Sequence, residues 1–285
     1  VDTIVPGRIR DPKEAAAVAE RLGYEDPFLA VREPFQMWGI QGDESLAEKL
    51  PFVKAGLPGV FVTPDVTPYK KRKVRILNGA HTAFVPGSWV AGFDIVRDCM
   101  HDETVRGFMN TMLYDEVIPT LAADLDVEDC KAFAAAVENR FDNPFIDHAL
   151  LSICLNSTAK WRARDLPTLK DYVVETGKLP KCLATSLATL IAFYTQELVA
   201  REGDGLHLRR ADGTEYTAQD DAFVLDFYAA HAGADDAELV HDVLTNEQMW
   251  GEDLTQITGL EEFVVNALTV VRVEGAKQAF ANAQA

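Results

Sequence analysis

From about residue 67 onward apolar side chains recur at helical spacing, and this narrows the possible folds more than any other feature of the chain. Val105, Phe108, Met109 and Met112 follow the capping residue Asp102 and predict a helix over 102–117. Phe133 and Val137 lie behind an acidic helix start, Asp126-Val127-Glu128-Asp129. Leu183, Leu187, Leu190, Ile191, Tyr194 and Leu198 predict a helix over 183–198 that buries one stripe. Further helices are expected over 146–160, 219–231, 235–245 and 259–281. Between them, Asp204-Gly205 and Asp212-Gly213 bracket Leu206-His207-Leu208, which reads as a surface hairpin within 201–217.

The first 66 residues have a different texture. Val1-Asp2-Thr3-Ile4-Val5 runs into the turn pair Pro6-Gly7, and Asp11-Pro12 opens a helix with Ala15, Val18, Ala19 and Leu22 on its apolar face. Residues 28–31, 35–40 and 59–63 read as strands bounded by Pro and Gly. The expected fold is α+β: a small N-terminal mixed sheet region over 1–66, followed by a mainly α-helical domain over 67–285.

At 285 residues and 48% hydrophobic, the chain can bury a core without covalent staples. Cys99, Cys130, Cys154 and Cys182 form no Cys-x-x-Cys pair, so neither a disulfide framework nor a zinc site is expected. No metal-ligand spacing occurs elsewhere. Reduced thiols, no 18-residue apolar run and no basic flank before an apolar segment point to the cytoplasm. A formal net charge of −18 argues against nucleic acid and anionic membranes as partners.

Against that acidity stands Lys70-Lys71-Arg72-Lys73-Val74-Arg75-Ile76-Leu77-Asn78-Gly79-Ala80-His81-Thr82. In an α-helix, at roughly 100° per residue, Asn78 falls about 140° and His81 about 80° from Lys73, while Arg75 points the other way. An ammonium, an amide and an imidazole converging on one cavity can bind a carbonyl oxygen and pass it a proton. A solvated basic helix end with a satisfied core histidine fits the same spacing. The other histidines, His101, His231 and His241, read as cap or surface residues, and His207 shows no partner in sequence. Asp220-Asp221 and Asp235-Asp236 read as helix starts, and Trp38 and Trp250 as packing residues.

The pattern Lys73-x-Arg75-x-x-Asn78-x-x-His81 resembles the Lys-x-x-x-x-Asn-x-x-His signature of the polyol-specific long-chain dehydrogenases, the mannitol dehydrogenase superfamily. Glu33-Pro34-Phe35, Pro68-Tyr69, Arg140-Phe141-Asp142-Asn143-Pro144-Phe145-Ile146, Leu155-Asn156-Ser157 and Ala192-Phe193-Tyr194 extend the likeness over most of residues 1–200. The longer match resembles the branch that reduces the keto-sugar acid tagaturonate to altronate. The resemblance implies a helical domain like the C-terminal domain of 6-phosphogluconate dehydrogenase. It also implies hydride exchange with NAD, a small sugar-acid substrate and a monomeric state.

By the same resemblance Lys73 is the general acid in reduction and general base in oxidation, with Asn78 donating to the carbonyl oxygen and His81 orienting. Free lysine titrates near about 10.4, so proton exchange at neutrality calls for a lowered value, which the cations at 70, 71, 72 and 75 would favour. Arg75 joins the candidate substrate-binding residues. So does a second polar row: His148, Ser152, Asn156 and Lys160 recur every four residues on the expected 146–160 helix. Such a seam faces either water or substrate hydroxyls. Lys160 matches a lysine the family places in its substrate site. Ser152 stands where mannitol enzymes carry arginine, as it does in the sugar-acid branch.

No Gly-rich strand-turn-helix for a dinucleotide pyrophosphate is present. In the family that domain precedes the segment resembling Val1-Asp2, as does a catalytic asparagine in an Asn-Ser-x-Val-Asp run. NAD is therefore expected to be held mainly by a domain outside this chain, with no cofactor residue assignable here, and the chain alone is expected to have little dehydrogenase activity. The alternatives are fructuronate reduction, polyol oxidation within the same superfamily, or a non-catalytic sugar-acid binding module.

Overall fold

A computed structural model of the chain describes residues 1–5, 7–9 and 11–285; the turn expected at Pro6-Gly7 falls partly on Pro6, outside the described residues. The chain forms two compact units, one of residues 1–71 with 144–148, the other of 72–143 with 149–285. The secondary structure is mainly helical, with three small sheets.

In the first unit the helix Pro12–Leu22 starts where Asp11 accepts from the Lys13 amide, and stops at Gly23, whose φ of 79° suits glycine. Gly7–Arg8 pairs antiparallel with Ala30–Val31. Trp38–Gln41 pairs in parallel with Val60–Thr63, with Trp38 opposite Val60. Parallel strands need a crossover, supplied by the helices Glu44–Lys49 and Pro51–Lys54. Val1–Val5 forms a bridge between Asp2 and Met37 rather than a strand, with Ile4 O accepting from the Glu33 amide at 3.1 Å.

The second unit is built around the helix Lys181–Tyr194, in which every residue from Cys182 to Tyr194 is buried. It packs against Gly79–Val90 and Leu260–Glu274. The single buried stripe expected over 183–198 is thus corrected: neighbours cover all sides, and Leu198 lies on a strand instead. Ser186 and Thr189 tolerate this burial by donating to the carbonyls of Leu183 and Ser186, at 2.6 and 3.0 Å. The hairpin of 201–217 is the second half of a three-stranded antiparallel sheet, Glu197–Glu202, Gly205–Arg209 and Glu215–Ala218. Leu206, Leu208, Tyr216 and Ala218 are buried, so this sheet is part of the core rather than a surface ornament. His207 is not alone: its Nδ1 lies 3.0 Å from Thr217 Oγ1.

Other expected helices are interrupted. The 102–117 segment is α-helical over Glu103–Thr111, capped by Asp102, then π-helical over Met112–Val117. The 259–281 segment divides at Gly275 into Leu260–Glu274 and Ala276–Ala283. Val127–Phe141 begins at Asp126 as expected. All four cysteines are free and buried. Among the described residues no helix is long and apolar enough to cross a membrane.

Glu116, on the π-helical stretch, caps the central helix. Its two carboxylate oxygens accept from the amides of Cys182 and Leu183 at 2.7 and 2.9 Å. Burial pushes its carboxyl up to about 7, above the ordinary glutamate value. Because the folded value lies above the unfolded one, the folded state holds this proton more tightly. The contribution is present below about pH 4.5 and is lost as pH rises toward about 7. Glu116→Gln is expected to flatten the fall in melting temperature across that interval. An unchanged slope in thermal melts from pH 4.5 to 7.5 would contradict it.

Candidate functional site

The basic stretch begins on the short helix Thr67–Arg72, continues as the π-helical turn Lys73–Asn78 and passes into the α-helix Gly79–Val90. This changes the geometry expected from sequence. A π turn holds about 4.4 residues instead of 3.6, roughly 82° each, which swings Asn78 to about 50° and His81 to about 10° from Lys73. The wider turn therefore draws the three Cα–Cβ directions closer together than a uniform α-helix would. Lys73 and Asn78 are half-buried. His81 is 6% exposed and stacks on Phe141, ring centroids 4.0 Å apart at 14°.

The neighbouring cations go to separate packing contacts. Arg72 lies over the Phe133 ring and pairs with Asp129, both on the helix Val127–Phe141. Arg75, expected among the substrate-binding residues, turns to the helix Leu166–Thr176, where it donates to Thr168 Oγ1 and, at 3.1 Å, to Asp171. The stretch is anchored on two sides, unlike a free basic helix end.

The second polar row does not form the single seam expected over 146–160. Leu150–Ile153 is one short helix and Ser157–Arg164 another. Between them Asn156 adopts φ 54°, a left-handed conformation that asparagine accepts more readily than most residues. The Asn156 amide donates to Gln219 O at 2.9 Å, and Ser157 Oγ closes the turn on Cys154 O at 2.8 Å. Ser152 and Asn156 are exposed, Ser152 Oγ donating to Ala149 O at 2.7 Å. His148 precedes both helices and belongs to the first unit. Of the four, Lys160 alone stands on Ser157–Arg164. Its Nζ donates to Ile153 O at 2.9 Å, and burial, then the nearby Arg164 charge, hold its amine below the usual lysine range.

Three residues to which sequence reasoning gave no part in the site, Arg164, Asp165 and Asp220, organise this region. Arg164 Nη1 donates to Thr82 Oγ1 at 2.9 Å and to Asn78 O at 3.4 Å, while Thr82 Oγ1 donates to the same carbonyl at 3.0 Å. These bonds tie the Lys160 helix directly to the Asn78 turn. The i,i+4 spacing of Lys160 and Arg164 was the available signal. Asp165 is buried, and its Oδ1 would lie 2.9 Å from any Cβ placed at Gly79, so the site needs glycine there. Burial holds the Asp165 carboxyl well above the ordinary range, against the pull of Arg164 and Arg75. Asp220, read as part of a helix start, lies one residue before the N-cap position Asp221 and accepts instead from the Thr158 amide at 3.1 Å and from the Tyr194 hydroxyl.

The fold is shared with about half of two solved sugar-alcohol dehydrogenases. Pseudomonas fluorescens mannitol 2-dehydrogenase, solved as a ternary complex with NAD and D-mannitol, superposes with a TM-score of 0.78 at 21% identity, covering 99% of this chain and 53% of that one. A D-sorbitol dehydrogenase in substrate-free form gives 0.73 at 20% identity over 98% and 53%. Residues 65–272 match the mannitol dehydrogenase C-terminal domain, and the chain belongs to that family. Among its relatives, the altronate oxidoreductase of Enterobacter sp. (strain 638) is 42% identical over 98% of this chain and 55% of that protein. The altronate oxidoreductase of Yersinia enterocolitica is 41% identical over 99% and 56%. The chain thus spans about half the length of the curated relatives it matches.

Proposed function

We propose that residues 67–285 are the substrate and catalytic part of a nicotinamide-dependent oxidoreductase that interconverts tagaturonate and altronate, with the dinucleotide held mainly outside this chain. What carries this reading is the likeness to altronate oxidoreductases along 98% of the chain. The donor set supports it: an amine, an amide and an imidazole suit a hydroxyl or carbonyl, and offer nothing shaped for a pyrophosphate. When bound, the nicotinamide supplies the acceptor or donor of hydride. Lys73 Nζ takes the hydroxyl proton during oxidation and returns it during reduction. Asn78 donates its amide hydrogen to the substrate oxygen, and His81, fixed against Phe141, orients the pair. Lys160 meets the distal part of the substrate.

In the full-length protein, NAD-dependent kcat/KM for altronate is expected to exceed that for mannitol or sorbitol by about 10²-fold or more, since a site built to pair a charged group rejects a ligand lacking it. Equal or reversed preference in a steady-state assay would favour a polyol dehydrogenase. Altronate binding without nicotinamide-dependent turnover would favour a binding module.

A further inference from the structure

Lys160 and Arg164 are two cations one helical turn apart on Ser157–Arg164. Both are partly buried, and neither forms an ion pair among the described residues. That is unusual in a chain of formal net charge −18, where carboxylates are plentiful. Neither nearby acid pairs with them: Asp220 accepts from Thr158 and Tyr194, and Asp165 is sealed in the core, where burial holds its carboxyl well above the ordinary range. Arg164 spends only Nη1 on Asn78 and Thr82, so Nε and Nη2 make no hydrogen bond among the described residues. Lys160 spends one of its three ammonium hydrogens on Ile153 O.

We propose that Arg164, together with Lys160, is the seat for the carboxylate of a sugar-acid substrate and the residue that selects an acid over a neutral polyol. Two like charges one helical turn apart, close to Asp165 and Asp220 but in ion-pair contact with neither, repel each other, and a ligand anion relieves that repulsion. The planar guanidinium presents parallel N–H donors that match a carboxylate. Its remaining bonds reach Asn78 and Thr82, so the anion is located relative to the Lys73–Asn78 turn where the proton moves. The assignment deepens the altronate reading and rests on it.

The test is steady-state kinetics of the full-length protein with altronate and with the neutral hexitol of the same configuration, altritol, for wild type, Arg164→Gln and Arg164→Lys. Losing a charge-assisted hydrogen bond should lower kcat/KM for altronate about 10- to 100-fold more than for altritol in Arg164→Gln, the excess falling mostly on KM, while the loss of the bonds to Asn78 and Thr82 lowers both substrates alike. Arg164→Lys keeps the charge without the fork and should lose about 3- to 10-fold of the acid preference. If Arg164→Gln fails to fold, the lysine variant decides alone. Equal losses on both substrates, or an unchanged acid-to-hexitol ratio, would overturn the assignment. Wild-type protein that prefers altritol would instead defeat the altronate reading itself, whatever the variants do.

Discussion

Replacing Lys73 with alanine in the full-length protein is expected to lower altronate turnover by at least about 10²-fold while KM changes little. Proton transfer by a positioned side chain contributes about 10²–10⁴-fold, and in the proposed reading substrate is held by Asn78 and the Lys160 helix. The loss should appear in kcat with the circular dichroism spectrum unchanged, because Lys73 is half-buried while Ile76 and Leu77 are the buried residues of the π turn. Near-normal turnover would mean that another group moves the proton.

Trp161→Ala should be the most damaging single change to stability. Trp161 is fully buried, donates from Nε1 to Ser186 Oγ at 2.9 Å and meets Trp250 edge-on at 5.5 Å. Removing the ring empties a site between the Lys160 helix and the central helix, at a cost of about 3–5 kcal/mol, and leaves Ser186 without its donor. In urea or thermal unfolding the midpoint should fall by roughly 10 °C. Trp161→Phe, which restores most of the volume but not the N–H, should lie between. A midpoint within 2–3 °C of wild type, by the same size scaling, would show that the helix bearing Lys160 and Arg164 is held by other contacts.

The sequence exposed the features governed by short-range rules. Asp11, Asp102, Asp126 and Asp235 cap helices because their carboxylates accept from amides two or three residues on, a local event visible in one dimension. His101, His231 and His241, read as cap or surface residues, pair with Asp142, Asp242 and Glu261. The family and the mainly helical character were legible for the same reason: contiguous patterns carry both. What escaped was set by bonds between distant segments. The break at Asn156 depends on Gln219 O, 63 positions away, and a four-residue polar rhythm mimics a continuous helix across it. Glu116 caps a helix that starts 65 residues later, so no local rule marks it. The π turn at Lys73–Asn78 leaves the periodicity of so short a stretch almost unaltered, yet it reorients the residues on which the chemistry is proposed to depend.

The central claim is that the amine of Lys73 carries the proton, and chemical rescue tests it most directly. Added methylamine or ethylamine should restore altronate turnover to Lys73→Ala in proportion to amine concentration, more strongly for the small amines than for bulky ones, with no such effect on wild type. Turnover in Lys73→Ala that ignores every amine while Lys73→Arg retains normal activity would contradict it, because a guanidinium cannot release a proton near neutrality.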